Sequence, residues 1–446
     1  MSLVLELARI CARPATPADL ARAALHVAAW TGAAALAANT PLAARLRRGY
    51  TAPGAAAPGP ENGWSRLLHD ASLGCMHELD DFHRGALVHP GPIVIPAALH
   101  TAEHVGASGA DILLAILRGY EAMIRIGESV GAGHYEHWHN TSTCGTAGAA
   151  AAAASLLELD TAQTADALAL ALTQSSGLWQ VRLDPCDAKP WHAARAAQTG
   201  VQAALLACAG IRGPAHVLEG EKGFYAAMCS DPLPDRIRAR ADGPWKIHQT
   251  TFKPWASCRH THPVIDAALT LREGWQAQDG WRQPPLDDIL AIRLETYADA
   301  IAFCDRADPA TDLEARFSLH HAVAVTLSKG APSVDDFCSG TVTNPACLRL
   351  RALTRAHPSN AYSARYPSHF GAEVTVMLKN GRTLRHAVQD ALGDPERPLT
   401  PSQVLELALR LMTAAGWEPG EASQRLAEIM ALDVQKPALL LRNAGF

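Results

Sequence analysis

The feature that most constrains this chain is the period of its apolar residues. Before residue 285 they recur almost entirely at helical spacing, and the alternation that marks a strand is nearly missing. Segment 109–130 places Ile112, Leu113, Ile116, Leu117, Tyr120, Met123 and Ile124 on one face. Segment 17–37 opens with Thr16 and Pro17, a good cap and first-turn pair. Segment 145–158 is almost all Ala before Leu156 and Leu157, which predicts a helix that its neighbours approach closely, because Ala combines high helix propensity with little bulk. Helices over 161–177 and 191–209 continue the pattern, and no repeat of solenoid length is visible.

The texture changes at about 274–286, where WQAQDGWRQPP is polar and contains Gly and Pro. Beyond it, DDILAIRLETYA alternates like a strand, 313–328 and 344–356 look helical, and AEVTVMLKNGRTLRHAV reads as a hairpin about Asn380-Gly381. From Thr400 and Pro401 an amphipathic helix returns. The fold class expected is mainly α. Residues 1–270 form a large all-helical domain, 271–399 a smaller α+β lid domain, and 400–446 helices that return to the first.

Composition narrows the function classes. Of 446 residues, 48% are hydrophobic and 19% charged, so a packed core is expected rather than disorder. A net charge of -5 argues against nucleic-acid or anionic-membrane partners, which require a basic face. The 10 Cys are scattered without a CxxC pair, and reduced thiols are expected. Glu6 and Arg9 spoil MSLVLELARICARP as a secretion signal. No run reaches about 18 strongly apolar residues, the Ala-rich segment being the nearest. A cytoplasmic protein is expected.

No phosphate-binding GxxxxGK[ST], no GxSxG elbow, no HExxH and no GxGxxG after a strand is present. Chemistry points instead to polar loops among the 20 His residues. HELDDFHRGALVHPG holds His77, Asp80, Asp81, His83, Arg84 and His89, a source of a general base and its orienting partner or simply a solvated loop. GHYEHWHNTSTCGTAG holds His134, His137 and His139 ahead of the Ala helix, with Thr141, Ser142 or Thr143 as its cap. The HxH and HxxHxH spacings suggest metal, but no further ligand stands at a recognisable distance, and none is expected. QVRLDPCDAKPWHAARAAQTG brings Arg182, Lys189, His192 and Arg195 to a helix start, where ammonium and backbone N–H groups can face one anion. TTFKPWASCRHTHP adds Lys253, Arg259, His260 and His262 before another. If these loops converge, they bind a di- or tricarboxylate.

The ordered blocks LVHPGPIVIPAAL, HNTSTCGTAGAAAAAASLLELD, AKPWHAARAAQTGVQAALLACAGIRGP, VLEGEKGFYAA, FKPWASCRHTHPVIDAA and ARFSLHHAVAV resemble the MmgE/PrpD family over nearly the whole chain. The resemblance implies a helical domain with an α+β lid, a homodimer, a small anionic polycarboxylate substrate and no organic cofactor. Activities in the family include 2-methylcitrate dehydratase, cis-aconitate decarboxylase and iminodisuccinate epimerase. This chain reads DDFH where members acting on methylcitrate or aconitate often read DDT, and His321 stands where many have Tyr. Those differences turn the expectation to epimerisation of iminodisuccinate by α-proton abstraction and return, with dehydratase or decarboxylase as the alternative. A non-catalytic helical interaction protein is the reading from another class.

Carried residue by residue, the resemblance assigns the HPG histidine to His89, the loop histidine to His139, the KxxH pair to Lys189 and His192, the later lysine to Lys253, and the acidic stretch to Asp80 and Asp81. The expected catalytic set is therefore Asp80, Asp81, His89, His139, Lys189 and Lys253. Arg182, His192, Arg259, His260 and His321 are expected to hold the substrate.

Overall fold

A computed structural model describes residues 1–51, 63–184, 186–279 and 285–432. They form two compact units. One comprises Met1–Met76, Asp80–Thr251 and the chain from Thr400, and the other comprises His77–Leu79 and Phe252–Leu399.

The first unit is helical. Its centre is the helix Asn140–Leu156, in which every residue but Ser155 is buried. Around it pack Gly91–Val105, Gly109–Ser129, Thr161–Leu172 and Ala188–Cys208. Small residues make this possible: a Cβ added at Gly200 would lie 2.4 Å from the Cβ of Ala149 and from the carbonyl oxygen of Thr146, so the two backbones are already in contact. The helix begins at Asn140 with His139 as its N-cap residue, without a side-chain cap, so Thr141, Ser142 and Thr143 lie in the first turn rather than capping it. Ala188–Cys208 starts before the expected 191, which places Lys189 and Pro190 in its first turn.

Pro17–Ala38 starts at a Thr16–Asp19 capping box. By length and composition it is apolar enough to cross a membrane, a property not expected from the sequence reading, yet 72% of its most apolar window is buried inside the protein. It packs against Pro401–Ala414, which begins at a Thr400–Gln403 capping box. At Gly32 an added Cβ would come within 2.8 Å of the Ala408 backbone. The amino-terminal Leu3–Cys11 helix buries Leu3, Val4, Leu7, Ala8 and Cys11, partly against Thr161–Leu172.

The second unit carries a four-stranded mixed sheet in the order β2-β1-β3-β4, where β1 is Ile289–Thr296, β2 Thr354–Pro358, β3 Ala372–Leu378 and β4 Thr383–Val388. β3 and β4 are the antiparallel hairpin, turning at Asn380-Gly381 with Gly381 at φ 83. β1 runs antiparallel to β3 and parallel to β2. Helix His262–Asp279 lies against β3 and β4, and Leu319–Lys329 packs on that helix.

Three sequence expectations change here. The helix expected over 344–356 ends at Leu353, because Thr354 pairs with Ile292 and the chain continues as β2, the residue before Pro358 favouring extended backbone. The helix expected over 313–328 breaks at Phe317-Ser318, where the Ser318 hydroxyl accepts the His321 amide and starts a new helix. The boundary expected at 271 falls before Phe252, since His262–Asp279 packs on the sheet as one piece. Residues 280–284 of the expected linker lie outside the described residues. All 10 cysteines are free thiols.

Candidate active site

In the first unit, the 80–91 loop holds His89. His89 Nδ1 donates to the Asp81 carbonyl at 2.8 Å and lies 3.0 Å from Asp80 Oδ2. The Asp81 carbonyl accepts at Nδ1 and keeps the proton there, with the Asp80 carboxylate beside it, so the neutral ring offers Nε2 as its basic nitrogen. The His89 amide donates to the Thr141 hydroxyl, and the ring lies against Phe82 at 5.0 Å. Asp80 is 4% exposed, a carboxylate placed to face the positive ring that forms when Nε2 takes up a proton.

Asp81, expected to take part in proton transfer, has its carboxylate engaged within the fold. Its Oδ2 accepts from Tyr120 Oη at 2.6 Å and His26 Nδ1 at 2.7 Å, and its Oδ1 accepts from the Gly91 amide at 2.8 Å. Three donors occupy the carboxylate. Burial pushes His26 down to about 4, so it donates as a neutral ring.

His139 is buried at the head of the central helix. Its Nδ1 lies 3.2 Å from His192 Nδ1, and its ring stacks on Trp179 with centroids 4.4 Å apart and planes 5° from parallel. Burial above all, and then the neighbouring His192, Lys189 and His89, hold His139 well below the ordinary imidazole range; Asp80 acts in the opposite direction. Burial also lowers His192. The His139 amide donates to the Gly177 carbonyl. Gly177 sits at φ +120, and a Cβ there would lie 2.7 Å from the Ser142 side chain, so glycine is required for the Trp179 segment to dock. Arg182, half-buried, closes the short turn that begins at Trp179.

The structure thus brings Asp80, His89, His139, Lys189 and His192 together in one unit. Asp81 and Arg182 lie in the same unit, whereas Lys253, Arg259, His260 and His321 lie in the second. Lys253, 1% exposed, has its Nζ 3.2 Å from Glu78 Oε2, and Glu78 holds a left-handed backbone at φ 55 that such side chains rarely adopt. Arg259 is committed to the chain near residues 391–394, donating to the Ala391 and Leu392 carbonyls and pairing with Asp394 at 2.8 Å. It also donates to His262 Nδ1. His260 packs among Tyr297, Phe303, Tyr366 and Phe370, with its Nδ1 2.7 Å from Tyr297 Oη. His321 is fully buried, donating from Nε2 to the Asp336 carbonyl and accepting from Arg351 at Nδ1. Arg259, His260 and His321, expected to hold the substrate, thus each have intramolecular partners within this unit.

His134 bridges the Met228 carbonyl and the Thr143 hydroxyl, and His137 is exposed, so the HxxHxH histidines do not gather as ligands. Among the described residues, His369, Asp390 and Glu396 bring possible ligand atoms within 4.8 Å of one another. His369 Nδ1 is 2.7 Å from Asp390 there.

Sequence reasoning missed Glu78, Trp179, His26 and Tyr120. Glu78 stands in plain view within HELDD, whereas the other three sit on helices or turns where they read as packing residues.

Comparison with known proteins matches residues 8–236 to the MmgE/PrpD N-terminal domain and residues 255–431 to the MmgE/PrpD C-terminal domain. Cis-aconitate decarboxylase of Homo sapiens is 28% identical over 355 residues, covering 77% of this chain and 71% of that protein. Cis-aconitate decarboxylase of Aspergillus terreus is 29% identical over 379 residues, 80% and 76% of the two chains. The cis-aconitate decarboxylase-like protein oryM of Aspergillus oryzae is 26% identical over 350 residues, 74% and 71% of the two. These relatives bear the name of the alternative activity rather than of the epimerase expected first. With both halves of the chain matched in order, the protein is a member of the MmgE/PrpD family.

Proposed function

We propose that this protein is a lyase that decarboxylates a small unsaturated tricarboxylate of the cis-aconitate kind, without an organic cofactor. The observation that carries the chemistry is His89, whose Nδ1 proton is held by the Asp81 carbonyl beside Asp80, leaving Nε2 to carry a proton to or from a substrate carbon. The similarity to cis-aconitate decarboxylases supplies the substrate class. In the proposed reaction the bond from one carboxylate carbon to the skeleton breaks and its electron pair stays in the allylic skeleton. Carbon dioxide leaves, and imidazolium His89 delivers the Nε2 proton to carbon. Lys189 supplies positive charge for the substrate carboxylates and the developing carbanion, and neutral His139 supplies a hydrogen-bonding wall.

A second reading is epimerisation of iminodisuccinate, favoured by the DDFH stretch and by two separate imidazole centres, His89 and the His139–His192 pair, that can act as opposed bases. Proton NMR in D2O separates the two readings. Chelator-treated protein is incubated with cis-aconitate and, in parallel, with stereochemically pure iminodisuccinate and with 2-methylcitrate. Carbon dioxide and a five-carbon unsaturated diacid from the first tube alone support the decarboxylase. Loss of the α-proton signal with new stereoisomers in the second, and inert cis-aconitate, would replace it with the epimerase. A new alkene from methylcitrate alone would make the protein a dehydratase.

A further inference from the structure

Asp81 joins three helices to one loop. His26 comes from Pro17–Ala38, Tyr120 from Gly109–Ser129, and the Gly91 amide is the first of Gly91–Val105. All three donate to the Asp81 carboxylate at 2.6–2.8 Å. The approach is tight enough to require glycine, since a Cβ at Gly91 would lie 2.8 Å from Asp81 Oδ1 and 3.2 Å from Tyr120 Oη. Tyr120 is fully buried and His26 is 1% exposed, so water does not compete for these bonds. The same residue's main-chain carbonyl receives the His89 Nδ1 proton. A carbonyl can specify a tautomer only if its own peptide is immobile, and this one is anchored through its side chain at both ends of the loop that carries His89.

We propose that Asp81, held by His26, Tyr120 and the Gly91 amide, is a positioning residue that sets the Nδ1–H tautomer of His89. The proposal rests on His89 being the proton carrier of the proposed function for its kinetic consequences, but its structural content stands apart from any substrate. Asp81→Asn replaces one acceptor oxygen with an NH2 that cannot accept from Tyr120 or His26, so the loop loosens while its volume is kept. Tyr120→Phe removes a single donor.

The test uses the full chain labelled with 15N-histidine, with His89→Gln to assign the His89 signals. Wild type should show His89 protonated at Nδ1. In Asp81→Asn the signals should move toward the Nε2–H form, with Tyr120→Phe shifting the same way by less. Turnover of cis-aconitate by Asp81→Asn should fall about 10- to 100-fold with KM changed less than about 2-fold. An unchanged Nδ1–H tautomer in a folded Asp81→Asn protein overturns the proposal. If that variant does not fold, Tyr120→Phe decides by the same signal. If wild type leaves cis-aconitate untouched, the decarboxylase reading fails while the tautomer measurement still judges the positioning role.

Discussion

The Nδ1 atoms of His139 and His192 face each other at 3.2 Å, so one ring donates and the other accepts, and the neutral pair holds a single proton between them. A second proton at that position would set two N–H groups against each other, beside Lys189. This adds to burial, the larger cause, in holding His139 neutral.

Removal of the His139 ring or of the Lys189 ammonium should be felt in turnover rather than in folding. His139→Ala and Lys189→Ala are each expected to lower kcat at least about 100-fold, with circular dichroism unchanged. Steady-state kinetics on whichever substrate the NMR assay identifies makes the comparison, and near-native rates in both variants would remove the pair from the mechanism.

Stability should fall on mild acidification. Burial pushes His26 and His83 down to about 4 and holds His139 and His262 well below their usual value. The unfolded chain therefore binds protons first as pH drops below about 6.5. Stability is complete above that pH and is lost toward about 4, by up to about 1.4 kcal/mol per pH unit for each such histidine. Melting curves at about pH 7.5, 6 and 5 check the sign; a Tm that holds or rises on acidification would contradict it.

Lys253 and Glu78 form a buried pair, with side chains 0% and 4% exposed. Lys253→Met strands a buried carboxylate and should destabilise the protein by about 3–5 kcal/mol, whereas the double variant Lys253→Met with Glu78→Leu should recover most of that. Chemical denaturation of the three proteins tests it, and equal losses in the single and double variants would count against the pairing.

Two Gly→Ala changes should have opposite signs. At Gly200 the new methyl would overlap the central helix and cost about 1–3 kcal/mol. At Gly274, inside His262–Asp279 with nothing within 4 Å, Ala should add about 0.4–1 kcal/mol through helix propensity and a less flexible unfolded chain. Thermal melts of both variants suffice, and a stabilised Gly200→Ala protein would refute the close approach of the backbones.

The helices were legible because their apolar period is local, and so was the hairpin, whose Asn380-Gly381 turn is written in two residues. β2 was not, because a strand that pairs with Ile292 from 62 residues away leaves no local mark to separate Thr354–Pro358 from the helix before it. Of the candidate site, His89, His139, Lys189 and His192 could be named from loop chemistry and family resemblance. Arg259 and His321 could not be told apart from them in sequence, since a polar side chain that binds substrate and one that ties down a turn look alike until their partners are seen.

By itself the sequence determined the helical first unit, the mixed second one, the family and the residue types available for proton transfer, all of which follow from spacing along the chain. Only the tertiary structure decided what each group does. It gave Asp80 to His89 and Asp81 to His26, Tyr120 and Gly91, although the two acids are neighbours in sequence. The reason is directional: a carboxylate's role depends on which donors face it within about 3 Å, and two of Asp81's, His26 and Tyr120, come from helices 55 and 39 residues away.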